Sequence, residues 1–277
     1  MPEIRIVNRC FENSTRLTQI TIPNTITTIG DKSFYKCINL SQITIPESVT
    51  SIGKNAFSFC EKFSELIIPS SVENIDDLFC SGCISLKKIE IPNNIKRIGL
   101  FEFKNFSSLT EFIIPSSMIM IPNKAFYKCT SLINIVIPSS IKNIGDWSFY
   151  KCSSLSEISI PDSVTSIGRC TFCNCSSLIE IKIPFSIKSI EKNTFDGCSS
   201  LKKISFSSDS SLKSICDYAF CDCNSLENIT IPNSVDSIGY NAFKGCLSLT
   251  KIEFSSPTNI NYLKFVESCL MKFLKKD

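Results

Sequence analysis

The chain has 277 residues, a formal charge of +3 and no histidine. The missing imidazole removes the most frequent general base, the Ser-His and Cys-His catalytic pairs and every Cys/His zinc arrangement. The charge is spread along the chain, which argues against a nucleic-acid face built from clustered Lys and Arg, and no apolar run approaches the ~20 residues that span a bilayer.

At the start, MPEIRIVNRCF carries charges where a secretory signal needs its apolar core. Ile6, Phe11 and Ser14 match the back half of the unit that follows, so residues 1–16 read as a partial unit. From there one period governs the chain. Pro23, Pro46, Pro69, Pro92, Pro115, Pro138, Pro161 and Pro184 fall at equal steps, the mark of a repeat solenoid. Ahead of each proline runs an Ile-x-Ile alternation, as in Ile20 and Ile22 or Ile135 and Ile137. β-Branched residues at period 2 predict a short strand with one buried face. Eleven such strands stacked in parallel would make one sheet about 50 Å long. Proline lacks an N–H and fits where the chain leaves the ladder.

A second apolar pair comes next, such as Val49 with Ile52 or Val164 with Ile167, and Gly often follows it (Gly30, Gly53, Gly145, Gly168). Glycine there implies a positive φ or a close backbone approach. A phenylalanine column then leads, three residues later, to a cysteine column, and the spacing predicts a helical turn opposite the first strand. After Phe206 and Phe254 the proline becomes Ser207 and Ser255, and two extra residues are expected to bulge without disturbing the stack. In the third unit Cys80 takes the phenylalanine position. Near the end, Leu263, Val266, Leu270 and Phe273 have helical spacing and predict a capping helix over 264–277. The domain reading is therefore one solenoid over 1–277, with about eleven repeats over 17–263.

The unit Leu-x-x-Ile-x-Ile-Pro-x-x-Val-x-x-Ile-Gly-x-x-x-Phe-x-x-Cys-x-x resembles the BspA-like leucine-rich repeat, from about Ile4 to Leu263. The resemblance implies a leucine-rich repeat solenoid, with a parallel β-sheet on one face and short strands and helical turns on the other. It implies a non-enzymatic protein-binding role, adhesion to matrix proteins or to host or other cell surfaces, and a surface or secreted address. It implies no catalytic residue, cofactor or metal. A self-assembling module, in which a second copy of the chain is the partner, or an intracellular interaction scaffold is the alternative. The cytoplasm is the alternative address, because sixteen cysteines without a signal suit a reducing compartment.

Nine of those cysteines share one column, and Phe106 occupies it in another unit. A position that accepts Phe is a core site, where Cys acts as a small hydrophobe with a weak donor. The C-x2-C of Cys80 and Cys83 and the cluster of Cys170, Cys173 and Cys175 lie four units apart, too far to share zinc. Two protein-binding surfaces are expected instead. On the outward strand face Ile67, Ile113 and Val136 interrupt polar neighbours. Near the turns Tyr127, Trp147 and Tyr150 supply aromatic anchors, in columns that also hold Tyr35, Phe101 and Tyr218. Neither nucleic acid nor membrane insertion is expected.

Overall fold

The computed structural model describes residues 4–98 and 103–254. They form two compact units, the first of 4–98, 103–118 and 125–138, the second of 119–124 and 139–254. The expected cap over 264–277 and the aromatic Phe101 lie outside the described residues.

Both units are parallel β-solenoids with two kinds of strand per repeat. In the first unit the Ile-x-Ile segments form strands such as Gln19–Thr21, which pairs in register with Gln42–Thr44. Glu65–Ile67 pairs likewise with Lys88–Glu90, and Glu111–Ile113 with Asn134–Val136. The expected continuous sheet is instead a series of two-stranded ladders lying side by side. Prolines close these strands, and their carbonyls begin the next turn: Val49 N–H donates to Pro46 O at 3.0 Å. A second ladder of two-residue strands follows, in which Arg5–Ile6, Thr28–Ile29, Ser51–Ile52, Asn74–Ile75 and Arg97–Ile98 pair in order.

The second unit repeats this scheme. Met120–Ile121, Asn143–Ile144 and Ser166–Ile167 form one short ladder, and Ser189–Ile190, Ser214–Ile215 and Ser237–Ile238 another. The register steps from Ile190 to Ile215 and from Ile215 to Ile238, so the two extra residues near Ser207 are absorbed in the turn, as expected. There Ser210 N–H donates back to Ser207 O at 3.0 Å.

The side opposite the first strands corrects the sequence reading, because no helix occurs among the described residues. Each phenylalanine-to-cysteine run is a chain of turns. Two residues per run have left-handed φ, such as Lys32 and Lys36, Trp147 and Lys151, or Cys170 and Asn174. A right-handed helix cannot contain them. Alternate N–H groups leave the unit altogether. Trp147, Phe149 and Lys151 donate to Arg169 O, Thr171 O and Cys173 O at 3.0, 2.9 and 2.8 Å, while Ser148, Tyr150 and Cys152 donate three residues back. The helical spacing of Phe, Cys and Leu was a true sign of a shared inward face, produced by a different backbone.

The core between these walls consists of self-stacking columns. Phe149, Phe172, Phe195 and Phe220 stack with centroids 5.3–5.5 Å apart and rings within 9° of parallel. In the first unit Phe11, Phe34 and Phe57 do the same at 5.2 and 5.5 Å. Offset stacking of this kind adds about 0.5–1.5 kcal/mol per pair beyond burial.

The glycine column follows from close approach and not from φ. A Cβ on Gly168 would lie 2.6 Å from Asp146 N and 2.8 Å from Gly145 C, both backbone atoms that cannot yield. The Asp146 carboxylate already accepts the Arg169 N–H there at 2.9 Å. Gly168→Ala is therefore expected to destabilise the fold by about 1–3 kcal/mol through overpacking, seen as a lower urea midpoint. An unchanged or raised midpoint would contradict the close approach.

Candidate functional site

The strand alternation exposes a polar face in each unit. In the first unit Ile67, Ile113 and Val136 break it, at 50%, 71% and 61% exposed. Ile113 and Val136 are direct partners in the parallel register. Ile67 is separated from them by Glu90, its own register partner, whose strand lies against Glu111–Ile113. Lys88 holds that intervening strand in charge, at 2.6 Å from Glu90 and 3.4 Å from Glu65. The predicted trio is thus an apolar pair plus an outlier. Ile133, just before the strand Asn134–Val136, is exposed as well, but falls outside the alternation that flagged the others.

The predicted aromatics are half-buried on the turn edges, and cations accompany each of them. Tyr127, in the first unit, has the ammonium groups of Lys104 and Lys128 at 5.6 and 5.5 Å from its ring centroid. In the second unit the Arg169 guanidinium lies 4.4 Å from the Trp147 centroid and Lys124 lies 5.5 Å away. Arg169 is fixed there by Asp146, at 3.0 Å. Tyr150 has Lys151 at 5.6 Å. Cation–π contacts of this exposed type contribute about 0.5–1 kcal/mol each. Tyr127 and Trp147 are thus engaged by cations of neighbouring turns and Tyr150 by its own, and the edge they build is cationic as well as aromatic.

The cysteine column is a hydrogen-bonded core element. Cys60 Sγ donates to Phe34 O at 3.2 Å, Cys129 Sγ to Phe103 O at 2.9 Å and Cys175 Sγ to Phe149 O at 3.1 Å. Each thiol adds a second bond to a carbonyl one unit back that already accepts a backbone N–H, a contact that a plain hydrophobe cannot make. Burial pushes the Cys83 thiol up to about 12 and raises those of Cys60, Cys175 and Cys198 strongly as well.

One position after the phenylalanine, three successive turns of the second unit carry Cys173, Asp196 and Cys221. Cys173 and Cys221 are buried and Asp196 is half-buried. The Cys173 Sγ lies 4.0 Å from Asp196 Oδ2, and Asp222 brings a second carboxylate to Cys221. Burial, and next the Asp196 charge, push both thiols up to about 12, with Asp222 adding to the effect at Cys221. Burial also raises the Asp196 carboxyl. Sequence reasoning missed this cluster because its members belong to different repeats. The available signal was the substitution pattern at one column, FCNC, FDGC and FCDC in consecutive units.

The model of the BspA-type leucine-rich repeat region matches residues 4–133, 119–211 and 205–273. The chain belongs to that family. Leucine-rich repeat proteins of this kind are generally protein-binding and typically non-enzymatic scaffolds. This BspA-type chain is similar in structure to a leucine-rich repeat protein from Bacteroides ovatus, at 26% identity and a TM-score of 0.67 over 90% of this chain and 82% of the other. It is similar also to a leucine-rich cell surface protein from Faecalibacterium prausnitzii, at 28% identity and a TM-score of 0.50 over 91% and 83%. No curated protein sequence matches it.

An open depression of about 570 Å³ in the second unit is lined by Met120, Asn123, Asn143, Asp146, Arg169 and Glu191. Its one hydroxyl, that of Ser166, donates to Asn143 Oδ1 at 2.7 Å, and Arg169 is already committed to Asp146 and Trp147. No helix among the described residues is long and apolar enough to cross a membrane.

The buried thiols fix the direction of a pH response. Unfolded cysteines ionise near pH 8.5, whereas folded Cys83 ionises near 12. Between these values the unfolded chain binds fewer protons, so stability is full below about pH 8.5 and falls as pH rises. Each fully buried thiol contributes up to about 1.4 kcal/mol per pH unit. Reduced protein is expected to lose thermal stability steeply between pH 9 and 10.5, and Cys198→Ala to flatten the slope. A melting temperature independent of pH over that range would contradict the buried column.

Proposed function

We propose that this chain is a protein-binding solenoid whose strand face makes the contact, with Ile113 and Val136 at its centre. The observation that carries this reading is their register pairing while more than half exposed, on a strand face that is otherwise polar apart from Ile67. Apolar patches with a polar rim are typical of contact sites. Ile67 extends the surface beyond Glu90, and the Lys88 charge cluster supplies a polar border. The aromatic and cationic edge at Tyr127, Trp147 and Tyr150 is the secondary contact region, suited to an acidic partner surface.

Adhesion is the biological form we favour, with a matrix or cell-surface protein as partner. Its support is the similarity to the Faecalibacterium cell surface protein.

Ile113→Asp together with Val136→Asp is the direct test. Both side chains are exposed, so the chain should still fold, with a stability loss of about 1–2 kcal/mol from placing two like charges opposite each other in strands. Affinity for a panel of immobilised matrix proteins, read by surface plasmon resonance, is expected to fall at least about tenfold, as for central interface residues. Wild-type binding that survives the double variant unchanged would exclude the strand face.

A further inference from the structure

We propose that Asp196, Cys221 and Asp222, adjoined by Cys173, form a divalent-metal site suited to zinc. The ligating atoms of Asp196, Cys221 and Asp222 all lie within 4.8 Å of one another. Tetrahedral zinc with Zn–S near 2.3 Å and Zn–O near 2.0–2.2 Å places its ligand atoms roughly 3.3–3.8 Å apart. Side-chain rotation of about 1 Å closes that difference. On the other side of Asp196, the Cys173 thiol lies 4.0 Å from Oδ2, outside the three-ligand group.

The surroundings are organised as a metal shell requires. Asn193 Nδ2 donates to Asp196 Oδ2 at 2.7 Å. Such outer contacts orient ligands. Space beside Asp196 comes from Gly197, which has φ of 73° and puts no side chain between Asn174 and Asp222. Gly245 plays the same part for Asp222, whose carboxylate occupies the place of a Cβ there. No ion pair to either carboxylate occurs among the described residues.

Donor chemistry narrows the ion. Thiolate with carboxylate favours zinc over magnesium or calcium, which take oxygen ligands. These thiols also differ from those of the core column, whose S–H groups are spent on phenylalanine carbonyls. On binding, the Cys221 S–H bond breaks, an S–Zn bond forms and the proton passes to solvent. Two carboxylates and one thiolate then face a doubly charged ion.

The test uses the full chain, reduced and stripped with a chelator. Zinc is titrated and quantified by elemental mass spectrometry, and cobalt(II) serves as the spectroscopic probe of thiolate ligation. About one equivalent of zinc is expected, with a thiolate-to-cobalt charge-transfer band. Cys221→Ser should remove the band and weaken zinc by at least about tenfold, and Asp196→Asn and Asp222→Asn should weaken it by about 10–100-fold. Cys10→Ser, at an exposed thiol, should change neither. Asp222 is exposed, so its variant remains informative if Cys221→Ser fails to fold. Binding well below one equivalent would overturn the proposal, as would a band that survives Cys221→Ser or is lost with Cys10→Ser.

Discussion

The N–H of Phe172 reaches the carbonyl of Thr194, one unit onward, at 2.9 Å, and Phe195 reaches Ala219 in the same way at 2.8 Å. Bonds of this kind tie neighbouring repeats across the turn edge within each compact unit, as Phe34 N–H does to Ala56 O, while on the short-strand side Thr165 N–H reaches back to Lys142 O. With parallel pairing in constant register, like residues must fall on like residues. A column of phenylalanines then becomes a stack and a column of cysteines a series of S–H to carbonyl bonds. Asn123 to Asp146 to Arg169 becomes a ladder of side-chain to backbone contacts. The stability of a repeat depends on its neighbours for this reason.

The same constraint decides where chemistry can arise. A column of identical groups performs the same packing task in each unit. Function is carried by departures from the column, because only there does a turn present something its neighbours do not. Ile113 beside Val136 is such a departure on a polar face, and so is Trp147 among cations. Cys173, Asp196 and Cys221 depart from a position held elsewhere in the second unit by Tyr150 and Lys244. Both functional readings rest on these exceptions and not on the repeat.

How much of this was legible depends on how each residue reports its backbone. Ile135 and Ile137 flanking Val136 announce a half-buried strand through alternation alone, and Pro138 announces its end. The exposed positions of Ile67, Ile113 and Val136 followed directly. The turns did not, because left-handed φ falls on Lys32, Phe59, Trp147 and Tyr218, residue types that give no such signal. The hints lay in the Asn, Asp and Gly residues at other left-handed positions, such as Asn55, Asn174, Gly197 and Gly245. Without those turns the spacing of Phe, Cys and Leu read as a helix. The thiol–carboxylate cluster was hidden because each repeat supplies only one or two of its donors, and the contact exists only after stacking.

Alternate N–H groups of the turn edge, among them that of Phe172, bond to the neighbouring unit, where a helix would keep all of them within one. Through-hydrogen-bond NMR couplings on deuterated protein measure this directly. A coupling is expected from the Phe172 amide nitrogen to the Thr194 carbonyl carbon, and the same from Phe195 to Ala219. A coupling from Phe172 to the Gly168 carbonyl, four residues back, would mean a helical turn and would contradict it.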